Sequence, residues 1–88
     1  MTNKLFRECL EKVSPDTRAE FELSFAIADR IDYLLRKKGM TQRSLAERLG
    51  KKESEVSKWL TGRHNFTINT LAHIALALGE EIVIVPKR

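Results

Sequence analysis

The 88-residue sequence predicts an all-α bundle of short helices, with a helical extension at its N-terminus and one short β-strand at its C-terminus. Three observations carry this. Apolar residues recur at three- and four-residue steps through most of the chain, the period of a helix face. Gly39, Gly50, Gly62 and Gly79 each fall where such a stretch ends, the position glycine favours because it adopts the left-handed conformation cheaply. The one segment that breaks the period is Ile82-Val83-Ile84-Val85, β-branched throughout and stopped by Pro86.

Leu5, Phe6, Cys9, Leu10 and Val13 predict a short amphipathic helix over residues 3–13. Ser14 and Pro15 restart the chain as an N-cap and a first helical residue, where no N–H is needed, and Asp16 complements the helix dipole. A long helix is expected from about 15 to 38. It is marked by Phe21, Phe25, Ala28, Ile31 and Leu35, flanked by Ile27 and Leu34, and it ends in Arg36-Lys37-Lys38. Met40 and Leu45 bracket Thr41 as a hydrophobic staple around an N-cap. Leu45, Ala46 and Leu49 form the buried side of the helix that follows. A further helix over about 53–60 turns Val56, Trp59 and Leu60 inward and Ser54, Lys58 and Thr61 outward. Its N-cap falls on Lys52, a poor capping residue. A last helix, capped by Thr67 or Asn65, shows Ile68, Leu71, Ile74, Ala75 and Leu78 as a core-facing stripe. The chain thus divides into an extension (1–20), a central domain (21–79) and a C-terminal strand segment (80–88). A lone strand has no partner in an all-helical chain, so residues Ile82, Val83, Ile84 and Val85 are expected to pair with the same strand of a second copy across a two-fold axis.

Composition bounds the function. No apolar run approaches the ~18–20 residues that span a bilayer, and the N-terminus has no apolar core of a signal peptide. The single cysteine, Cys9, cannot form an internal disulfide, so a reducing cytoplasm is the expected location and no membrane partner is expected. No Cys/His cluster has metal spacing, no glycine-rich phosphate loop occurs, and neither histidine is paired with a carboxylate at a recognisable spacing. The sequence therefore predicts no enzyme, no cofactor, no metal and no catalytic residue. Charge is unevenly spread. Residues 1–35 hold five basic and seven acidic groups, and residues 36–63 hold nine basic and three acidic ones. A positive segment of this kind suits a phosphate backbone, although a solvated basic face would read the same.

Thr41-Gln42-x-x-Leu45-Ala46-x-x-Leu49-Gly50, Val56-Ser57-x-Trp59, Gly62, and Leu71-x-x-Ile74-Ala75-x-Ala77-Leu78-Gly79 together resemble the xenobiotic-response-element (XRE) family, whose helix-turn-helix is that of lambdoid phage repressors and Cro. The similarity covers residues 25–79. It implies a lambda-repressor-like bundle whose second motif helix lies in the major groove of double-stranded DNA. By that resemblance Lys52, Glu53, Ser54, Ser57 and Lys58 would face base edges. The side-chain chemistry agrees, since lysine donates to guanine, glutamate accepts from cytosine N4 and serine does either. Gln42 would contact phosphate, and Arg43, Lys51, Thr61, Arg63 and His64, which flank the second motif helix, would also suit backbone phosphates. Each has a plainer reading. Glu53 and Glu55 also suit the helix dipole, Lys58 is also ordinary surface charge, and Trp59 has core spacing. His64 reads as a loop residue, His73 as a half-exposed helical residue, and Cys9 as packing.

The implied function is a transcriptional repressor, a homodimer on a palindromic operator. The chain also resembles HigA-type antitoxins, XRE-family proteins that bind a toxin protein and repress their own operon. In that reading residues 3–13 and the acidic start of the long helix would hold a basic toxin, although the same arm would equally serve dimerisation.

Overall fold

The computed structural model describes residues 14–86. The helix expected over 3–13, Cys9 included, lies outside the described residues. Four helices follow: α1 (Pro15–Lys38), α2 (Gln42–Leu49), α3 (Glu53–Trp59) and α4 (Ile68–Leu78).

The helix ends form for the reasons the sequence supplies. The Ser14, Thr41 and Thr67 hydroxyls accept from the backbone N–H of Thr17, Ser44 and Thr70 at 3.2, 3.0 and 3.1 Å, each satisfying one amide that the first turn leaves without a partner. Gly39, Gly50 and Gly79 close α1, α2 and α4 in the left-handed conformation. Lys52 occupies the N-cap of α3 and makes no side-chain capping bond, as its residue type implies.

A single core joins all four helices. Ile27, Ile31, Leu34 and Leu35 of α1 meet Leu45 and Ala46 of α2, Val56 and Trp59 of α3, and Ile74 and Leu78 of α4. Only the C-terminal half of α1 takes part fully; Phe21 and Phe25 are half-buried. α2 packs against both α3 and α4, which fixes the motif helices to the rest of the bundle. Between α3 and α4, Trp59, His64 and Phe66 pack their rings together, with His64 edge-on to Phe66 at 4.8 Å.

Gly62 is needed for more than its positive φ of 82°. The Phe25 ring lies against it so closely that a Cβ there would overlap the ring. The turn after α3 can therefore sit on α1 only with glycine at this position.

Two expectations are corrected. No strand forms among the described residues, and the segment 82–85 is irregular. A strand needs a neighbour for its ladder, and every element packed nearby is a helix. Ile82 instead inserts into the core at 8% exposure, and the backbone before it is held to α1. Arg30 Nε donates to the Glu81 carbonyl at 3.1 Å, and Lys37 approaches Glu80 at 4.0 Å. The second correction concerns Ile68. It was expected in the core stripe of α4 but stands 86% exposed, while Ile74 and Leu78 take the buried side.

Candidate nucleic-acid interface

The turn Gly50-Lys51-Lys52 joins α2 to α3 and sets their angle. The Lys51 N–H reaches back to the Ala46 carbonyl at 2.9 Å, closing α2 tightly enough for α3 to start two residues later. On α3, Val56 and Trp59 face the core, so geometry alone forces Ser54, Ser57 and Lys58 to the other side. Lys52, Glu53, Ser54, Ser57 and Lys58 are all exposed; Glu55 is half-buried. The five residues expected to read bases thus share one open surface.

One contact ties this surface to α2. Ser57 Oγ donates to Gln42 Oε1 at 2.8 Å, linking the first residue of α2 to the middle of α3. With Oε1 engaged, what Gln42 offers a partner is its Nε2–H2 group, a donor only and the right polarity for a phosphate oxygen. The hydroxyl cap takes the Ser44 amide, and the backbone amides of Gln42 and Arg43 have no acceptor among the described residues. They lie at a helix N-terminus beside the Gln42 side chain, an arrangement suited to an anion.

The remaining phosphate candidates divide in two. Lys51 and Arg63 are exposed and in no ion pair with another described residue. Arg43 is also exposed, and its partner Glu47 lies one turn on at 3.4 Å, a solvated pair that a phosphate can displace. Thr61 and His64 are engaged in the fold. The Thr61 hydroxyl donates to the Lys58 carbonyl at 2.7 Å and accepts from the Arg63 N–H at 3.3 Å, closing α3, while the His64 ring packs on Phe66. A threonine three residues after an open carbonyl at a helix end is the signal that makes such a closure readable. Arg48, though exposed, is likewise engaged, donating to the Ala77 carbonyl at the end of α4 at 3.0 Å. The exposed basic residues of the motif whose side chains make neither an ion pair nor a hydrogen bond with another described residue are therefore Lys51, Lys52, Lys58 and Arg63, all on α3 or its flanks.

Among the described residues no group of His, Cys, Asp or Glu is placed to hold a metal ion, and no helix is long and apolar enough to cross a membrane.

A short helix held by its N-terminal neighbour, open on a polar and cationic face and closed on an apolar one, defines a helix-turn-helix DNA-binding domain. The helix-turn-helix family of the XRE, Cro/C1-like type matches residues 31–85, well over half the chain, and the chain belongs to that family, whose domain binds DNA and is not enzymatic. No curated protein and no solved structure matches it.

Proposed function

We infer that this protein is a sequence-specific transcriptional repressor, a homodimer that seats one α3 per half of a palindromic operator. The observation that supports this best is the Ser57–Gln42 bond, because it locks the base-facing surface to the phosphate-facing end of α2. A helix that reads bases must be held in register by backbone contacts, and this bond joins the two tasks.

In this reading Lys58, Ser54 and Ser57 meet base edges, with Lys52 and Glu53 at the entry to the groove. Gln42, Arg43, Lys51 and Arg63 hold phosphates, and Thr61 and His64 shape the turn that presents Arg63. Repression follows from occupancy, since a domain filling the major groove over a promoter excludes other proteins. The antitoxin reading depends on residues 3–13, outside the described residues, and no observation on residues 14–86 favours it.

Selection of sites from random duplex DNA, followed by fluorescence anisotropy, tests the proposal. The expected site is two-fold symmetric. Lys58→Ala should flatten preference at one base pair per half-site, since a good side-chain–base pairing discriminates by about 1–3 kcal/mol. Arg63→Ala should weaken all sequences alike. Enrichment of no sequence at low salt, or an unchanged preference in Lys58→Ala, would overturn the assignment of α3.

A further inference from the structure

We propose that Arg48 is a positioning residue for DNA recognition. It pins the C-terminal end of α2 to α4, so that α2, and α3 with it, cannot pivot on the bundle. The proposal rests on the DNA-binding reading for what that orientation serves.

α2 has only eight residues, about 12 Å of helix, and its two ends are tied to different helices. At its first residue, Gln42 accepts from Ser57 of α3 at 2.8 Å. Six residues on, about 9 Å along the axis, Arg48 Nη1 donates to the Ala77 carbonyl of α4 at 3.0 Å. Between these two points Leu45 and Ala46 are the buried residues. Apolar burial is non-directional, whereas a hydrogen bond has a direction. One such bond on either side of the packed centre fixes the angle of the rod.

The end of α4 is suited to receive a cation. Its last turn holds no basic residue of its own. The Gly79 and Glu80 amides take the Ala75 and Leu76 carbonyls, and Arg48 takes that of Ala77. A helix C-terminus carries partial negative charge, which favours a guanidinium there. This end is also held to the rest of the bundle. Leu78 and Ile82 lie in the core, Arg30 of α1 donates to the Glu81 carbonyl at 3.1 Å, and Lys37 of α1 approaches Glu80 at 4.0 Å. Arg48 therefore anchors α2 to a point that α1 already fixes. Its planar fork, with donors in set directions, suits an oriented contact better than an ammonium would. The bond runs to α4, which supplies none of the candidate DNA contacts. Of the basic residues on the motif, Arg48 is thus engaged in holding the reading surface and not in forming it.

Two kinds of duplex separate this role from a phosphate contact. Binding to unrelated sequence is mostly electrostatic and tolerates a small change of angle, whereas base reading needs the register. Anisotropy titrations of the full-length Arg48→Ala variant, on the site selected by the parent and on an unrelated duplex, are made over a range of salt. Alanine keeps α2 helical and leaves no donor to replace the lost one. Affinity for the selected site should fall about fivefold, within the range by which residues away from a ligand alter its binding. Affinity for the unrelated duplex should change by less than about twofold, and the slope of log K against log salt should stay that of the parent. A lost phosphate contact would weaken both duplexes and reduce the slope by ~0.9, and partial unfolding would also weaken both. An equal loss on the two duplexes therefore overturns the proposal, as does an unchanged affinity for the selected site. Amide NMR spectra of the two proteins without DNA give a second readout. The Gln42 and Ser57 resonances should shift along with those around Arg48 and Ala77. Shifts confined to the latter would show that nothing is transmitted along α2 and would overturn the proposal as well. If the parent selects no site, the DNA-binding reading fails, and the spectra still decide whether Arg48 orients α2.

Discussion

The bond between Ser57 and Gln42 can be separated from base reading by a double-mutant cycle. Ser57→Ala removes the donor, and Gln42→Ala removes both the acceptor and the proposed phosphate contact. In the free protein the bond lies at the surface, with Ser57 exposed and Gln42 half-buried, so water competes with it. A net intramolecular hydrogen bond contributes about 0.5–1.5 kcal/mol, and an exposed neutral pair belongs at the low end. Ser57→Ala should therefore cost the folded state about 0.5 kcal/mol or less. On DNA the same atoms would be shielded from water, where a hydrogen bond strengthens, and losing it would let α3 turn relative to the phosphate anchor. A coupling of about 1 kcal/mol between the two positions is expected in the binding free energy, within the range measured for contacting residues. In practice the loss of operator binding on Ser57→Ala should be about fivefold larger in the parent background than in Gln42→Ala, where only the base contact of Ser57 remains to be lost. Anisotropy titrations of the four proteins at one fixed salt concentration read this directly. If the two losses add to within about 0.3 kcal/mol, Ser57 contacts DNA independently of Gln42 and the coupling argument is wrong.

Two further outcomes concern the scaffold. Gly62→Ala combines a left-handed backbone, costing roughly 1–2 kcal/mol for a residue with a Cβ, with overlap on the Phe25 ring, where overpacking costs roughly 1–3 kcal/mol. A loss of about 2–5 kcal/mol should lower the melting temperature by at least about 8 °C in a domain of this size, and a shift under about 3 °C would show that Phe25 moves aside freely. Ile82→Ala should cost about 2 kcal/mol in urea unfolding, the low end for a buried isoleucine because it plugs the edge of the core, whereas Ile84→Ala should change stability by less than about 0.5 kcal/mol; equal effects would mean that Ile82 is not the anchor.

What was legible in the sequence was local. The three hydroxyl caps, the glycine stops and the uncapped start of α3 each depend on one residue and its near neighbours, and each is found where the residue types put it. The motif helices were legible because a long joint pattern constrains them together. What failed depended on distant partners. Ile82-Val83-Ile84-Val85 has the composition of a strand, yet propensity yields when one residue can fill a gap in a helical core, as Ile82 does. Ile68 fits the apolar period of α4, but the bundle covers only part of that helix, and periodicity cannot say which side is left bare. The candidate site shows the same division. That Ser57 and Gln42 both belong to it follows from the motif. That they touch, fifteen residues apart, depends on the angle the turn sets.

The charge count is where sequence and structure together say more than either alone. Nine basic residues between 36 and 63 look like a single cationic patch, but the fold engages them unequally, and Lys37 approaches Glu80 at 4.0 Å. Arg36 pairs with Asp32, Arg43 with Glu47, and Arg48 with a helix-end carbonyl; outside the segment Arg18 pairs with Glu22, and Arg30 bonds the Glu81 carbonyl and lies over the Tyr33 ring. A planar guanidinium with donors in fixed directions suits such single, oriented contacts. Lys51, Lys52 and Lys58 make no ion pair with another described residue, and the ammonium they carry is a hydrated point charge that needs no fixed geometry. Arg30 and Arg48 therefore join separate elements, Arg18, Arg36 and Arg43 pair within their own helices, and Lys51, Lys52 and Lys58 leave their charge exposed on α3 and the turn before it. The exposed positive charge therefore gathers around α3 at Lys51, Lys52, Lys58 and Arg63, while α3 itself also carries Glu53 and Glu55 in its first turn.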